Sequence, residues 1–265
     1  MEAVAIVNGQ RQPLASATVA VTDDGLARGD GVFETVGVWG GNAFRLDDHL
    51  QRLAASLQAV ALPAVDLDLV SREAKMLLDG ATDDAALRIY VTATGTRILT
   101  LSPPPQRREP RHLAPQPAPW IRPLGTFGPA GAKTMSYLPN MAATRMAQRS
   151  GADDALLVSL EGWVLEGPTF AVAWATDGVM FTPPVDLGIV DSISRRTVLE
   201  LAESAGISVV VEPRPLDHLL AAEEVMISSS VRPLLRVERV ADRTFRGPTP
   251  LRDRLALLLD QARRS

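Results

Sequence analysis

The sequence predicts an α+β fold in two domains, and three observations carry that prediction. Strand pairs closed by tight turns occur in both halves, interspersed with stretches of helical spacing and without an internal repeat. A proline-rich stretch from Pro103 to Pro123, followed by a loop from Leu124 to Gly131, interrupts the chain near its middle. The 265 residues suffice for one large domain or two ordinary ones, with a substantial core. The expected division is an N-terminal α+β domain over residues 1–123, a linker over 124–132 and a C-terminal domain over 133–265.

The elements follow in order. Residues 1–21 alternate apolar and polar around Asn8-Gly9, a hairpin signal. A loop with two glycines and three aspartates runs from Thr22 to Asp30. Val32 to Trp39 reads as a strand that Gly40-Gly41-Asn42 turns back. A helix from about Asp47 has acidic residues in its first turn and Leu50, Leu53 and Leu57 at helical spacing. A second helix is predicted over 67–78, then paired strands over 87–94 and 97–101. The proline-rich stretch holds at most an edge strand. Beyond the linker come a helix over 140–149, strand pairs over 154–165 and 170–181, and a helix over 194–205. A strand over 208–211, a short helix near 216–222, a strand over 224–228 and a helix from Pro250 complete the chain.

Composition narrows the function. Apolar residues make up 46% and charged residues 22%, an ordinary globular balance. The net charge is −4 and no basic stripe is present, so nucleic acid is not an expected partner. No run of about eighteen apolar residues predicts a membrane span. The start, MEAVAIVNGQ, does not read as a signal peptide, so a cytoplasmic location is expected. The absence of cysteine excludes disulfides, thiolate metal sites and cysteine nucleophiles. His49, His112 and His218 lie far apart in sequence, and metal-ligand spacing is lacking.

Of the 27 basic residues, all but Lys75 and Lys133 are arginine. Arginine stays protonated near neutral pH, so it is neither a base nor an amine nucleophile; lysine serves as both. Lys75 falls in a predicted helix and reads as a surface charge. Lys133 follows a Gly/Pro-rich loop and does not. The segment GPAGAKT around it fails the phosphate-loop pattern, because Ala132 precedes the lysine and the first glycine is misplaced.

The remaining candidates suit a phosphorylated ligand. Ser192-Ile193-Ser194 precedes a helix, where N–H groups and the dipole favour an anion; a plain helix cap is the ordinary alternative. Ser228-Ser229-Ser230 ends a strand and is either an anion nest or a polar turn. Arg52 on the first helix is a phosphate candidate or a surface charge. Glu166 ends an apolar strand, where its carboxylate suits a protonated ring nitrogen or a turn.

These segments together resemble the class IV aminotransferase family, the fold type IV group of pyridoxal-phosphate enzymes, which includes branched-chain and D-amino-acid transaminases, R-selective amine transaminases and aminodeoxychorismate lyase. The matching stretches are RGDGVFET from Arg28, DHLQRL from Asp48, KTMSYLPN from Lys133, GADDALL from Gly151, VLEGPT from Val164, GIVDSISR from Gly188 and ISSSV from Ile227. The resemblance implies a small N-terminal α/β sandwich domain, a larger C-terminal domain with a barrel-like sheet, and pyridoxal 5'-phosphate between them. It matches Lys133 to the Schiff-base lysine, Glu166 to the partner of the pyridine nitrogen, and Arg52, Ile193, Ser194, Ser229 and Ser230 to the phosphate contacts. Tyr137 is matched to the cofactor's ring hydroxyl, and the Ser230–Val231 amides to a substrate carboxylate. A homodimer is also implied, with the loop over 22–30 contributing to the partner's pocket.

Two substrate residues remain to be assigned. Ala93 stands where D-amino-acid transaminases carry an arginine, and Arg97 is either its substitute or a strand-end charge. Phe33 replaces a tyrosine of several relatives, which makes that wall more apolar. The leading expectation is transfer of an amino group between a small apolar amino acid or amine and a 2-oxo acid. The alternatives are aminodeoxychorismate lyase, which releases pyruvate and forms 4-aminobenzoate for folate synthesis, and a phosphate-ligand binding protein without catalysis.

Overall fold

Asn8 and Gly9 take positive φ angles of 47° and 85°, which turns β1 (Val4–Val7) back onto β2 (Gln10–Pro13) as the Asn-Gly pair predicts. The computed structural model describes residues 3–104, 111–118 and 131–264. Of these, 3–104 and 131–137 belong to one compact unit, and 111–118 and 138–263 to a second. Lys133 thus goes with the first unit, whereas the sequence reading starts the second domain there. Of the expected linker over 124–132, only residues 131 and 132 are described.

The first unit continues with α1 (Asp24–Arg28), β3 (Gly31–Trp39), β4 (Asn42–Ala43), α2 (Leu46–Ala59), α3 (Leu67–Leu78), β5 (Ala85–Thr92) and β6 (Arg97–Ser102). Its six strands form one antiparallel sheet in the order β2-β1-β6-β5-β3-β4. Leu50, Leu53 and Leu57 of α2 and Val70, Ala74 and Leu77 of α3 pack on one face, against Val32, Val36, Leu87, Ile89, Leu99 and Leu101. Strand alternation puts Glu34 on that helix-covered face and Phe33 on the other. The segment expected as a loop over 22–30 contains α1. Asp23 caps it by accepting from Gly25 N–H at 2.8 Å, and Thr92 and Thr96 of the β5–β6 hairpin donate to the same carboxylate.

The second unit comprises β7 (His112–Pro117), α4 (Leu138–Arg149), β8 (Asp154–Val158), β9 (Ala171–Thr176), β10 (Val179–Thr182), α5 (Ile193–Ser204), β11 (Val209–Val211), α6 (Leu216–Leu220), β12 (Glu224–Ser229), β13 (Arg232–Val237), β14 (Arg239–Val240), β15 (Arg243–Thr244) and α7 (Pro250–Arg264). Alternation sorts its apolar residues into layers. Ala173, Met226 and Leu234 of the sheet β11-β10-β9-β12-β13 face Val198 and Ala202 of α5 and Leu255 and Leu259 of α7. Val172, Trp174, Val225 and Ile227 on its other side meet Leu113, Leu156 and Val240 of the sheet β15-β14-β7-β8. Ala155 and Leu157 face Ala143 and Ala147 of α4.

Two expectations change here. The barrel-like sheet is instead two open sheets packed face to face. No sheet among the described residues closes, because the edge strands β11 and β13, and β15 and β8, have no partner strand to complete a ring. The proline-rich edge strand is an inner one, β7, between β14 and β8. Ala118 N–H donates to Val158, so even positions face β8. Pro115 and Pro117 therefore turn their missing donors away from that ladder.

Candidate active site

In the first unit, the chain around Lys133 lies along the end of β3. Phe33 N–H donates to the Lys133 carbonyl at 3.0 Å and Met135 N–H to the Gly31 carbonyl at 2.8 Å. The approach needs glycine at 31, since a Cβ there would fall 2.6 Å from Met135 Sδ and from the Val91 carbonyl. Lys133 N–H donates to Ser56 Oγ on α2 at 3.1 Å. Both ends of the lysine peptide unit are thereby tied to regular structure. Its Nζ lies 4.3 Å from the Phe33 ring centroid and 5.5 Å from that of Tyr137. Phe33 meets Tyr137 edge-on at 5.2 Å and stacks on Tyr90 at 5.8 Å. The amine thus stands among aromatic faces, a setting that holds it in place electrostatically.

On the helix-covered face, α2 spaces His49, Arg52 and Ser56 along one buried stripe. Arg52 Nε and Nη2 donate to the two oxygens of Glu34 at 2.8 and 2.6 Å, and His49 Nδ1 lies 2.7 Å from Oε2. Burial alone pushes the Glu34 carboxyl up, but the Arg52 charge and the hydrogen bonds from Arg52 and His49 outweigh it and bring the group down to about 2. Burial pushes His49 below its usual value, although Glu34 acts in the opposite sense.

In the second unit, Leu165 N–H donates to the Leu157 carbonyl and Leu157 N–H to the Glu166 carbonyl, so Glu166 is fixed beside β8. The next turn is tight. A Cβ at Gly167 would lie 2.1 Å from the Phe170 ring. The Glu166 carboxylate is buried and accepts from Val190 N–H at 3.2 Å. The predicted helix start is α5, which begins one residue earlier than the sequence suggests. Ser192 caps it through Arg195 N–H, and Ile193 and Ser194 form its buried first turn. Ser229 pairs with Arg232 after a register shift in β12, which leaves Ser230 and Val231 as a two-residue turn.

Within the first unit the structure brings together Lys133, Phe33 and Tyr137, with Arg52 on the stripe that ends at Ser56. It separates Arg97 from them. Arg97 lies on the helix-covered face with Leu99 and Leu101, and its guanidinium is held by buried Glu73 of α3 at 2.8 and 3.2 Å. Within the second unit it supplies Glu166, the α5 start and the turn over 229–232. Lys75 is exposed on α3. Sequence reasoning missed Ser56, Glu34, His49 and Arg263. Only Arg263 carried a legible signal, because it continues the four-residue spacing of buried Leu255 and Leu259. Among the described residues, no group of three or more His, Asp or Glu side chains suits a metal ion, and no helix is long and apolar enough to cross a membrane.

The chain as a whole is similar to known proteins. A family model described as amino-transferase class IV matches residues 31–240. A Methanocaldococcus jannaschii protein named as a branched-chain-amino-acid aminotransferase is 30% identical over 90% of this chain and 88% of its own. A Mycobacterium tuberculosis protein named bifunctional aminodeoxychorismate lyase / D-amino acid transaminase is also 30% identical, over 89% and 90%. The solved structure of a hypothetical aminotransferase from Mycobacterium tuberculosis, in PLP-bound form, superposes with a TM-score of 0.90 at 29% identity and covers 98% of both chains.

Proposed function

Because this chain belongs to the amino-transferase class IV family, whose enzymes depend on pyridoxal phosphate, we propose that it moves an amino group between a small apolar amino acid or primary amine and a 2-oxo acid, with Lys133 as the residue that carries the cofactor.

The residues present fit that group. The chain offers an amine nucleophile, a buried carboxylate for a ring nitrogen, and a helix start with buried hydroxyls for a phosphate. When bound, pyridoxal phosphate supplies an electron sink for negative charge at the substrate carbon. Glu166 keeps a proton on the pyridine nitrogen. Arg52, Ile193, Ser194, Ser229 and Ser230 bind the phosphate, and Tyr137 the ring hydroxyl. With its amine free, Lys133 Nζ would be the base that takes the proton from the substrate α-carbon. Phe33 and Tyr90 exclude water on that side, and the Ser230–Val231 turn offers backbone donors to a carboxylate.

The observation that carries the reading is Lys133 itself, anchored at both its N–H and its carbonyl with its amine over Phe33 and Tyr137. The preference for an apolar substrate rests on this wall, on Ala93, and on Arg97 being engaged by Glu73. The lyase reading uses the same lysine and is favoured by the bifunctional relative. An absorption spectrum of the reconstituted protein tests both. We expect a band at the visible edge that amino donors bleach in wild type and that Lys133→Ala lacks. Bleaching by L-amino acids, D-amino acids or R-amines names the substrate class. Pyruvate release from aminodeoxychorismate with little bleaching selects the lyase. An unchanged band in Lys133→Ala would remove the assignment of the lysine.

A further inference from the structure

The turn over 229–232 and the start of α5 are joined by one side chain from the far end of the sequence. Arg263, on the last turn of α7, is buried. It donates from Nη1 to the Arg232 carbonyl at 2.6 Å, from Nη2 to the Ser229 carbonyl at 2.9 Å, and from Nη2 to Ser194 Oγ at a long 3.4 Å. Ser229 and Arg232 are the pair that closes the two-residue turn Ser230–Val231. The guanidinium fork therefore spans both ends of that turn and touches the first turn of α5.

We propose that Arg263 is a positioning residue for an anionic group, setting the direction in which Ser194 and the Ser229–Ser230 peptide present their hydrogens to the cofactor phosphate. The inference rests on the cofactor reading above and deepens it. Guanidinium has donors only, so Ser194 Oγ must accept from it. The hydroxyl hydrogen is then directed elsewhere, and among the described residues no group accepts it. A carbonyl that accepts from a cation also polarises its own peptide, which strengthens the N–H of the following residue as a donor. Ser229 has its carbonyl in that position, and Ser230 follows it. Burial lowers the basicity of Arg263 to about 10 despite the charge of Asp260, so the guanidinium gains from an added anion nearby. Lysine would keep the charge but has no planar fork to reach two carbonyls and a hydroxyl together.

The test separates phosphate binding from general damage. The full-length protein, stripped of cofactor, is titrated with pyridoxal phosphate and with pyridoxal, which lacks the phosphate, and formation of the lysine-bound absorbance band gives each affinity. Arg263→Met is expected to weaken pyridoxal phosphate by about 10- to 100-fold, the range for a charge-assisted bond, and to leave pyridoxal within about twofold. Arg263→Lys, which retains charge and guards against loss of folding in the first variant, is expected to weaken the phosphate form by about tenfold with pyridoxal again unchanged. Equal weakening of both compounds in Arg263→Lys, or unchanged affinity for pyridoxal phosphate, overturns the assignment. If wild type forms the band with neither compound, the cofactor reading falls, and this inference with it.

Discussion

Each unit buries an arginine beside residues of the proposed site, and the two are held differently. Arg52 faces a carboxylate, with two of its nitrogens on Glu34 and His49 closing the other side. The hydrogen bonds of Arg263 run to two backbone carbonyls and a hydroxyl. In the first unit, opposite charges meet inside the protein, and the result is a rigid strut between β3 and α2. In the second, a cation that the Asp260 charge also supports holds two backbone carbonyls and a hydroxyl. A carboxylate held by two arginine nitrogens fixes the position of the arginine; a guanidinium on two carbonyls and a hydroxyl fixes the direction of those groups. We read the first arrangement as one that fixes Arg52 for the phosphate contact proposed above, and the second as one that orients the groups around Arg263 toward the same anion.

The largest expected effect breaks the first arrangement. Glu34→Gln keeps the shape and removes the charge opposite Arg52, which strands a buried cation. Thermal and denaturant unfolding should show a loss of about 3–5 kcal/mol. Replacing the whole set with Glu34→Met, His49→Leu and Arg52→Met should recover most of that stability, because apolar side chains of similar volume need no partner. Stability that stays low in the triple variant would mean that packing, not charge, holds this region.

The next effect is the pH dependence of the same set. The folded Glu34 carboxyl titrates at about 2 and the unfolded one near 4.5. The unfolded chain therefore binds this proton first as pH falls. The stabilisation is complete above about 4.5 and is lost on the way down to about 2, with a size of a few kcal/mol. His49 adds to the trend from higher pH, since its folded value lies below 6.5 and only the unfolded chain gains that proton readily. Denaturant unfolding across acid pH should fall in wild type and flatten in Glu34→Gln. Parallel curves for the two proteins would show that Glu34 is not the group responsible.

Local chemistry made much of this readable from sequence. The helix over 67–78 has its Asp66 cap and apolar stripe within a few residues, and the structure reproduces it without shift. Lys133 was visible because it is one of only two lysines. What escaped depends on distant partners. The turn α1 is anchored by Thr92 and Thr96, some seventy positions away. The strand β7 reads as a proline-rich connector until β8 and β14 flank it. Two open sheets and one curved sheet demand the same alternation along each strand, and only the identity of the edges distinguishes them. Glu34 received no reading of its own within the strand over 32–39, since nothing nearby in sequence announces Arg52 as its partner.

The smallest expected effect sharpens the contrast at Arg97, which the sequence offered as a substrate residue. Its guanidinium is partly exposed and binds Glu73, a residue that is buried. The Glu73 hydrogen bonds come first among the influences that raise Arg97 above its usual basicity. Arg97→Met should therefore cost stability, about 1–3 kcal/mol, because Glu73 loses a charged partner in a place with little water. It should leave KM for the amino donor and the spectrum of the bound cofactor unchanged, since the side chain lies on the opposite face of the sheet from Phe33. Glu73→Gln with Arg97→Met together should lose less than the sum of the single changes, as two residues in direct contact do. A rise in KM for Arg97→Met without loss of stability would put the side chain back among the substrate contacts, and the ion pair with Glu73 would then be a resting arrangement rather than its function.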